Sequence, residues 1–101
     1  MSESAVRMGE AGELMLSGVL DYRTGPELRK QGQALIKSSI APAVVLDCSG
    51  VEKSSSVGLS LLMAFMRDAA AGGKAVSVRA LPDDMREIAQ VSGLTGILAH
   101  P

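Results

Sequence analysis

Apolar and polar positions along this chain fall into short blocks whose periods switch between strand-like and helix-like. Glu13 to Leu20 (ELMLSGVL) is apolar-rich and reads as a strand. A short strand near Ala5 to Met8 pairs with it through a Gly9 to Gly12 turn. Thr24 to Ser38 reads as a helix, with Thr24 as its N-cap and Pro26 in the first turn, where a missing N–H is tolerated. Leu28, Leu35 and Ile36 then face the core, Arg29, Lys30 and Lys37 face water, and Gly32 weakens the middle of the helix. Ala43 to Cys48 (AVVLDC) is a near-continuous apolar run, the pattern of a strand buried on both faces.

The second half continues the alternation. Ser54 to Gly72 is a helix with its cap, stopped at Gly72-Gly73. Ala75 to Ala80 alternates with period two and reads as a strand. Pro82 to Val91 is a third helix, opened by a proline and two acids that suit a helix N-terminus. Gly93 ends it, and Ile97 to Ala99 forms a last short strand. This order argues for an α/β sheet with right-handed crossovers, in one domain spanning residues 1–101.

The segment from Asp47 to Met66 (DCSGVEKSSSVGLSLLMAFM) changes the picture most. Three serines open an unusually apolar helix. At about 100° per residue, Leu61, Phe65, Gly58, Ala69, Leu62, Met66, Leu59, Ala70 and Met63 fill an arc of roughly 200°. The other side carries Ser60, Arg67, Asp68, Ala64 and Ala71. A surface helix needs an apolar stripe of only about 100°. Either the small domain wraps this helix on most sides, or the surplus flank, Leu59 and Met63 toward Ser60 and Arg67, is a protein-binding strip. The serines also have two readings. They are a loop and an N-cap, or they include a phosphoacceptor, since a phosphate at a helix N-terminus meets free N–H groups.

Composition narrows the function classes. Of 101 residues, one is Cys and one is His, with one Tyr, one Phe and no Trp. A single Cys48 forms no internal disulfide and fits a reducing compartment. One Cys and one His are too few for an ordinary zinc site, and a sole His100 near the C-terminus argues against a Ser-His-Asp triad. No cofactor or metal is expected. Two aromatics make no stacking platform, and a formal net charge of −1 gives no electrostatic case for nucleic acid or anionic lipid. The N-terminus lacks the basic and apolar regions of a secretory signal, and no apolar run reaches the roughly 20 residues of a membrane span. A cytoplasmic protein without direct membrane insertion is expected.

An enzyme using Cys48 as nucleophile is disfavoured, because Cys48 ends a buried strand with no His nearby. Asp21 and Asp47 read as turn and cap residues at strand ends. Gly72-Gly73 is a helix stop, since no Lys-Ser/Thr follows it as in a phosphate loop. Arg23, Arg29, Lys30 and Lys37 read as a solvated face, or one that meets an acidic partner or membrane headgroups. The balance favours a module that binds another protein.

The pattern Asp47-x-Ser49-x-Val51, then Ser56-x-Gly58-Leu59 and Leu61-Leu62, resembles the central motif of the STAS domain family, which includes bacterial anti-sigma-factor antagonists. Leu16-Ser17-Gly18-x-Leu20-Asp21, Thr24-x-Pro26-Glu27-Leu28 and the stretch from Leu81-Pro82 through Met85-Arg86 to Val91-Ser92-Gly93-Leu94 extend the resemblance over nearly the whole chain. It implies a small mixed β-sheet of four or five strands with about three helices mainly on one side.

The Ser56-Val57-Gly58-Leu59-Ser60-Leu61-Leu62 start is more similar to the transporter-associated members of the family than to the sigma regulators. That likeness implies a non-catalytic cytoplasmic subunit of a phospholipid-transporting ABC complex in Gram-negative bacteria. Ser55, Ser56, Val57, Leu59, Ser60, Met63 and Arg67 would then contact the ATPase subunit. The subunit would sit peripheral to the inner membrane through that partner. The alternative the family implies is an anti-sigma-factor antagonist, with an anti-sigma factor or serine kinase as partner and Ser56 as phosphoacceptor. The family usually carries Asp just before that position, where this chain has Ser55. The departure weighs against kinase-driven switching more than against docking.

Overall fold

The computed structural model describes residues 4–9 and 11–91. Its elements run β1 Ala5–Met8, β2 Glu13–Leu20, α1 Gly25–Ser38, β3 Ala43–Ser54, α2 Ser56–Ala71, β4 Ala75–Arg79 and α3 Asp83–Val91. The strands form a mixed four-stranded sheet in the order β1-β2-β3-β4. β1 is antiparallel to β2, whereas β2, β3 and β4 run parallel. Strand alternation decides which residues face the helices. Val6, Leu14, Leu16, Leu20, Val44, Leu46 and Cys48 point to one face and meet Leu28 and Ile36 of α1, Leu61, Leu62 and Phe65 of α2 and Met85 of α3. All three helices therefore cover one side of the sheet, as the α/β reading and the family resemblance imply.

Several sequence expectations change. β3 runs to Ser54, well past Cys48, because β2 supplies a parallel ladder partner as far as Leu20↔Ser54. β3 is not buried on both faces: the face away from the helices carries the half-buried Val45, opposite Glu13, and the exposed Met15 of β2 lies opposite Asp47. Asp47 lies on that face inside the strand, 5% exposed, instead of ending the strand. Its carboxylate accepts a 2.6 Å hydrogen bond from its register partner Arg79. Arg79 also reaches Glu13 at 3.9 Å, so one guanidinium spans three strands. Burial alone would raise the Asp47 carboxyl, but the hydrogen bonds from Arg79 and from the Ser49 N–H outweigh it and hold it below the usual range.

Thr24 occupies the N-cap position of α1 without capping it. Its hydroxyl instead accepts the Asp21 N–H at 3.1 Å and donates to the Val19 carbonyl at 2.9 Å. Gly32 has a packing reason, since a β-carbon there would collide with the ring of the fully buried Phe65. β4 ends at Arg79, followed by Ala80 at φ 59°. The Gly93 stop and the Ile97 to Ala99 strand lie outside the described residues.

Candidate functional site

Because β2 and β3 are parallel neighbours, both end at the same edge of the sheet, with Leu20 opposite Ser54. Each strand turns there into a helix, so the starts of α1 and α2 lie side by side. A β-carbon on Gly25 would come within 2.8 Å of Val57, so only glycine lets the two helix starts approach this closely.

The turn into α2 is fixed residue by residue. The Ser55 N–H donates to the Leu20 carbonyl at 3.0 Å. Ser55 is the N-cap, with extended backbone, and its Oγ accepts the Val57 N–H at 3.1 Å. The serine-cap reading therefore belongs to Ser55. Ser56 follows as the first helical residue, and its side chain is exposed. Among the described residues its hydroxyl has no hydrogen-bond partner, and the first turn of α2 carries no acid. Gly58 completes the turn, because a β-carbon there would meet Ser54 Oγ and lie 3.2 Å from Leu20. On the neighbouring turn, the Asp21 carboxylate accepts the N–H groups of Arg23 at 2.9 Å and Thr24 at 3.2 Å. The Arg23 N–H foremost holds the Asp21 carboxyl below its ordinary value. Asp21 is a turn residue, as its place after β2 implies.

The seven predicted contact residues do not share one environment. Ser55, Ser56, Ser60 and Arg67 are exposed, and Val57 and Met63 are half-buried. Leu59 is 4% exposed and packs with Ala89 of α3, in a cluster that also holds Met63, Met66, Val78, Leu81 and Ile88. Its expected place on an exposed flank is corrected. The reason is that α2 lies between two helices: α3 covers the Leu59 side, and Ala64 on the other flank is also buried. The wide apolar arc is therefore mostly core. What remains in water is a narrower face of Ser56, Ser60 and Arg67, edged by Met63. These positions recur three to four residues apart and so share one side of the helix.

Beside this face lies an open groove of about 380 Å³, lined by Tyr22, Gly25, Pro26, Arg29, Val57, Ser60, Leu61 and Ala64. Tyr22 is 76% exposed at its mouth, with the Arg23 guanidinium 5.9 Å from its ring centroid. Arg29 pairs with Asp68 and so joins α1 to α2. Sequence reasoning missed the α1 wall of this groove, because Tyr22 and Pro26 lie more than thirty residues before Val57. The available signal was a lone Tyr placed directly after a strand end.

Little here favours covalent chemistry. Cys48 is 1% exposed, and burial, aided by the neighbouring Asp47 charge, pushes its thiol up to about 12. Among the described residues, no group of three His, Cys, Asp or Glu side chains is placed to hold a metal ion. No helix among them is long and apolar enough to cross a membrane.

Comparison with known proteins adds to this geometry. The family described as "Mlab, STAS domain" matches residues 4–99. Among the curated proteins no sequence matches the chain. The structure is similar to a chain of the Acinetobacter MlaFEDB complex in its ATP-bound Vtrans2 conformation. The TM-score is 0.81 at 21% identity, over 96% of this chain and 99% of that one. It is also similar to an anti-sigma factor antagonist from Mycobacterium paratuberculosis, with TM-score 0.71 at 28% identity over 95% and 81% of the two chains. A third similar structure is the Bacillus cell fate determinant SpoIIAA in its phosphorylated form, with TM-score 0.67 at 19% identity over 95% and 88%.

Proposed function

We propose a docking function from the premise that this chain belongs to the STAS domain family of the Mlab type. In this reading it is a non-catalytic accessory subunit of a phospholipid-transporting ABC complex. It forms a single domain over residues 1–101 and works in the cytoplasm, held at the inner membrane by its partner. The exposed face of α2 headed by Ser56 meets the ATPase subunit and supports its assembly or activity in outer-membrane lipid asymmetry. The family match over residues 4–99 carries this reading. The likeness to a chain of the MlaFEDB complex, covered over 99% of its length, supports it.

The residues support docking in a physical sense. Ser55 Oγ already caps α2 by accepting the Val57 N–H, so Ser56 is not needed as the cap. An exposed serine, followed on the same face by Ser60 and Arg67, offers polar groups to a partner, and Met63 adds adaptable apolar surface. A second reading, an anti-sigma-factor antagonist controlled by phosphorylation of Ser56, is favoured by the 28% identical antagonist structure. Ser55 in place of the family's usual acid counts against it.

The test is affinity purification of the tagged full chain from detergent-solubilised membranes of its own organism, with identification of what comes with it. An ABC ATPase subunit is expected with the wild type and is lost with Ser56→Glu and with Arg67→Glu. Leu59→Asp is unsuitable here, because at a buried position it tests folding and not docking. Failure to recover any ABC ATPase overturns the transporter reading, and a phosphorylated Ser56 recovered with a kinase-like partner supports the antagonist reading instead.

A further inference from the structure

We infer that Asp84, on α3, is a positioning residue for the docking turn at Ser54–Ser56. β4 ends at Arg79, opposite Asp47, so among the described residues the later part of β3 has no ladder partner on its β4 side. On its other side β3 stays paired with β2 to the end, where the Ser55 N–H, not that of Ser54, bonds the Leu20 carbonyl. The Ser54 N–H faces the vacated side and donates to Asp84 Oδ2 at 3.0 Å. Asp84 Oδ1 accepts the Met85 N–H at 2.8 Å within α3. One carboxylate therefore clips the last residue of β3 to the first turn of α3. Met85 beside it is fully buried in the main core, which gives the clip a rigid base.

The consequence falls on Ser56. The turn has two anchors: Ser55 is bonded to β2, and Ser54 is bonded to α3. Losing the second leaves Ser54 held from one side only, with an unpaired N–H at a half-buried position. The exposed serine two residues on would then sample more orientations, and ordering it would weaken binding. This inference rests on the reading that the Ser56 face docks.

The test compares Asp84→Ala with Asp84→Asn in the full chain. Both remove the Asp84 charge, but Asn keeps one of the two acceptor oxygens, which serves Ser54 only if its amide group turns toward Met85. NMR amide exchange should show the Ser54 N–H roughly tenfold faster in Asp84→Ala than in the wild type, with Asp84→Asn between them and the Val44 to Leu46 amides unchanged. Recovery of the ABC ATPase subunit should fall several-fold with Asp84→Ala and return in part with Asp84→Asn. Ser54 exchange in Asp84→Ala as slow as in the wild type overturns the clip. Faster exchange with undiminished ATPase recovery overturns its role in docking and leaves the transporter reading standing. If even the wild type recovers no ATPase, the transporter reading falls and the docking role falls with it, while the exchange comparison still decides the clip.

Discussion

Gly32→Ala should destabilise this protein, against the ordinary rule for an exchange inside a helix. Glycine in a helix interior is about 0.8–1.0 kcal/mol worse than alanine, so propensity alone favours the variant. Here the new β-carbon falls on the Cε1 and Cζ atoms of Phe65, whose ring is fully buried at the α1–α2 contact. The ring is buried in the same cluster as Leu61, Leu62 and Leu28, so moving it away means displacing core side chains. Overpacking of this kind costs about 1–3 kcal/mol, and a rigid aromatic neighbour puts it at the upper end. The net expectation is a loss of about 1–2 kcal/mol, read as a lower urea midpoint at unchanged slope. In a chain of this size, each kcal/mol lowers the melting temperature by roughly 4–8 °C. Phe65→Leu in the Gly32→Ala background should recover part of the loss, giving a coupling energy in a double-mutant cycle. A Gly32→Ala protein more stable than wild type would falsify the steric argument.

Three further outcomes follow from the structure. Ser55→Ala should lose about 1 kcal/mol by removing the α2 cap, whereas Ser56→Ala should stay within about 0.5 kcal/mol in the same urea titration; the reverse order would mean that the cap is misassigned. The Asp47 carboxyl is lowered on folding, so its stabilisation is present above the ordinary carboxyl value and is lost as pH falls through the folded value. Asp47→Asn should therefore cost about 1–2 kcal/mol near neutral pH and give a flatter stability profile below about pH 4, and parallel profiles would contradict this. Cys48 should resist a thiol reagent at about pH 8 in the folded protein and react fully in denaturant; labelling of folded protein as fast as a free thiol compound would refute its burial.

Much of the architecture was legible in the chain. Seven elements were readable because each carries its own period, and period reflects local backbone geometry. The serine cap was legible too, since the preference of serine for an N-cap is a local effect. The tail of β3 was not, because Gly50 to Ser54 (GVEKS) has no apolar pattern and is strand only where β2 pairs with it. Gly32 reads as a weak point in a helix because the Phe65 ring that packs against it lies far along the chain. Asp47 reads as a turn residue because its partner Arg79 is brought beside it only by the pairing of β3 with β4.

The sequence by itself determined the order and type of the elements, a serine-led start of α2 within Ser54 to Ser56 and the scarcity of side chains for catalysis. The tertiary structure alone decided which part of the broad apolar arc of α2 reaches water. Periodicity along a helix tells which residues share a side, but exposure depends on what lies against that side. Here α3 closes over Leu59, and α1 lies beside Ala64. What remains is a narrow polar face at Ser56, with a groove whose far wall comes from Tyr22 and Pro26.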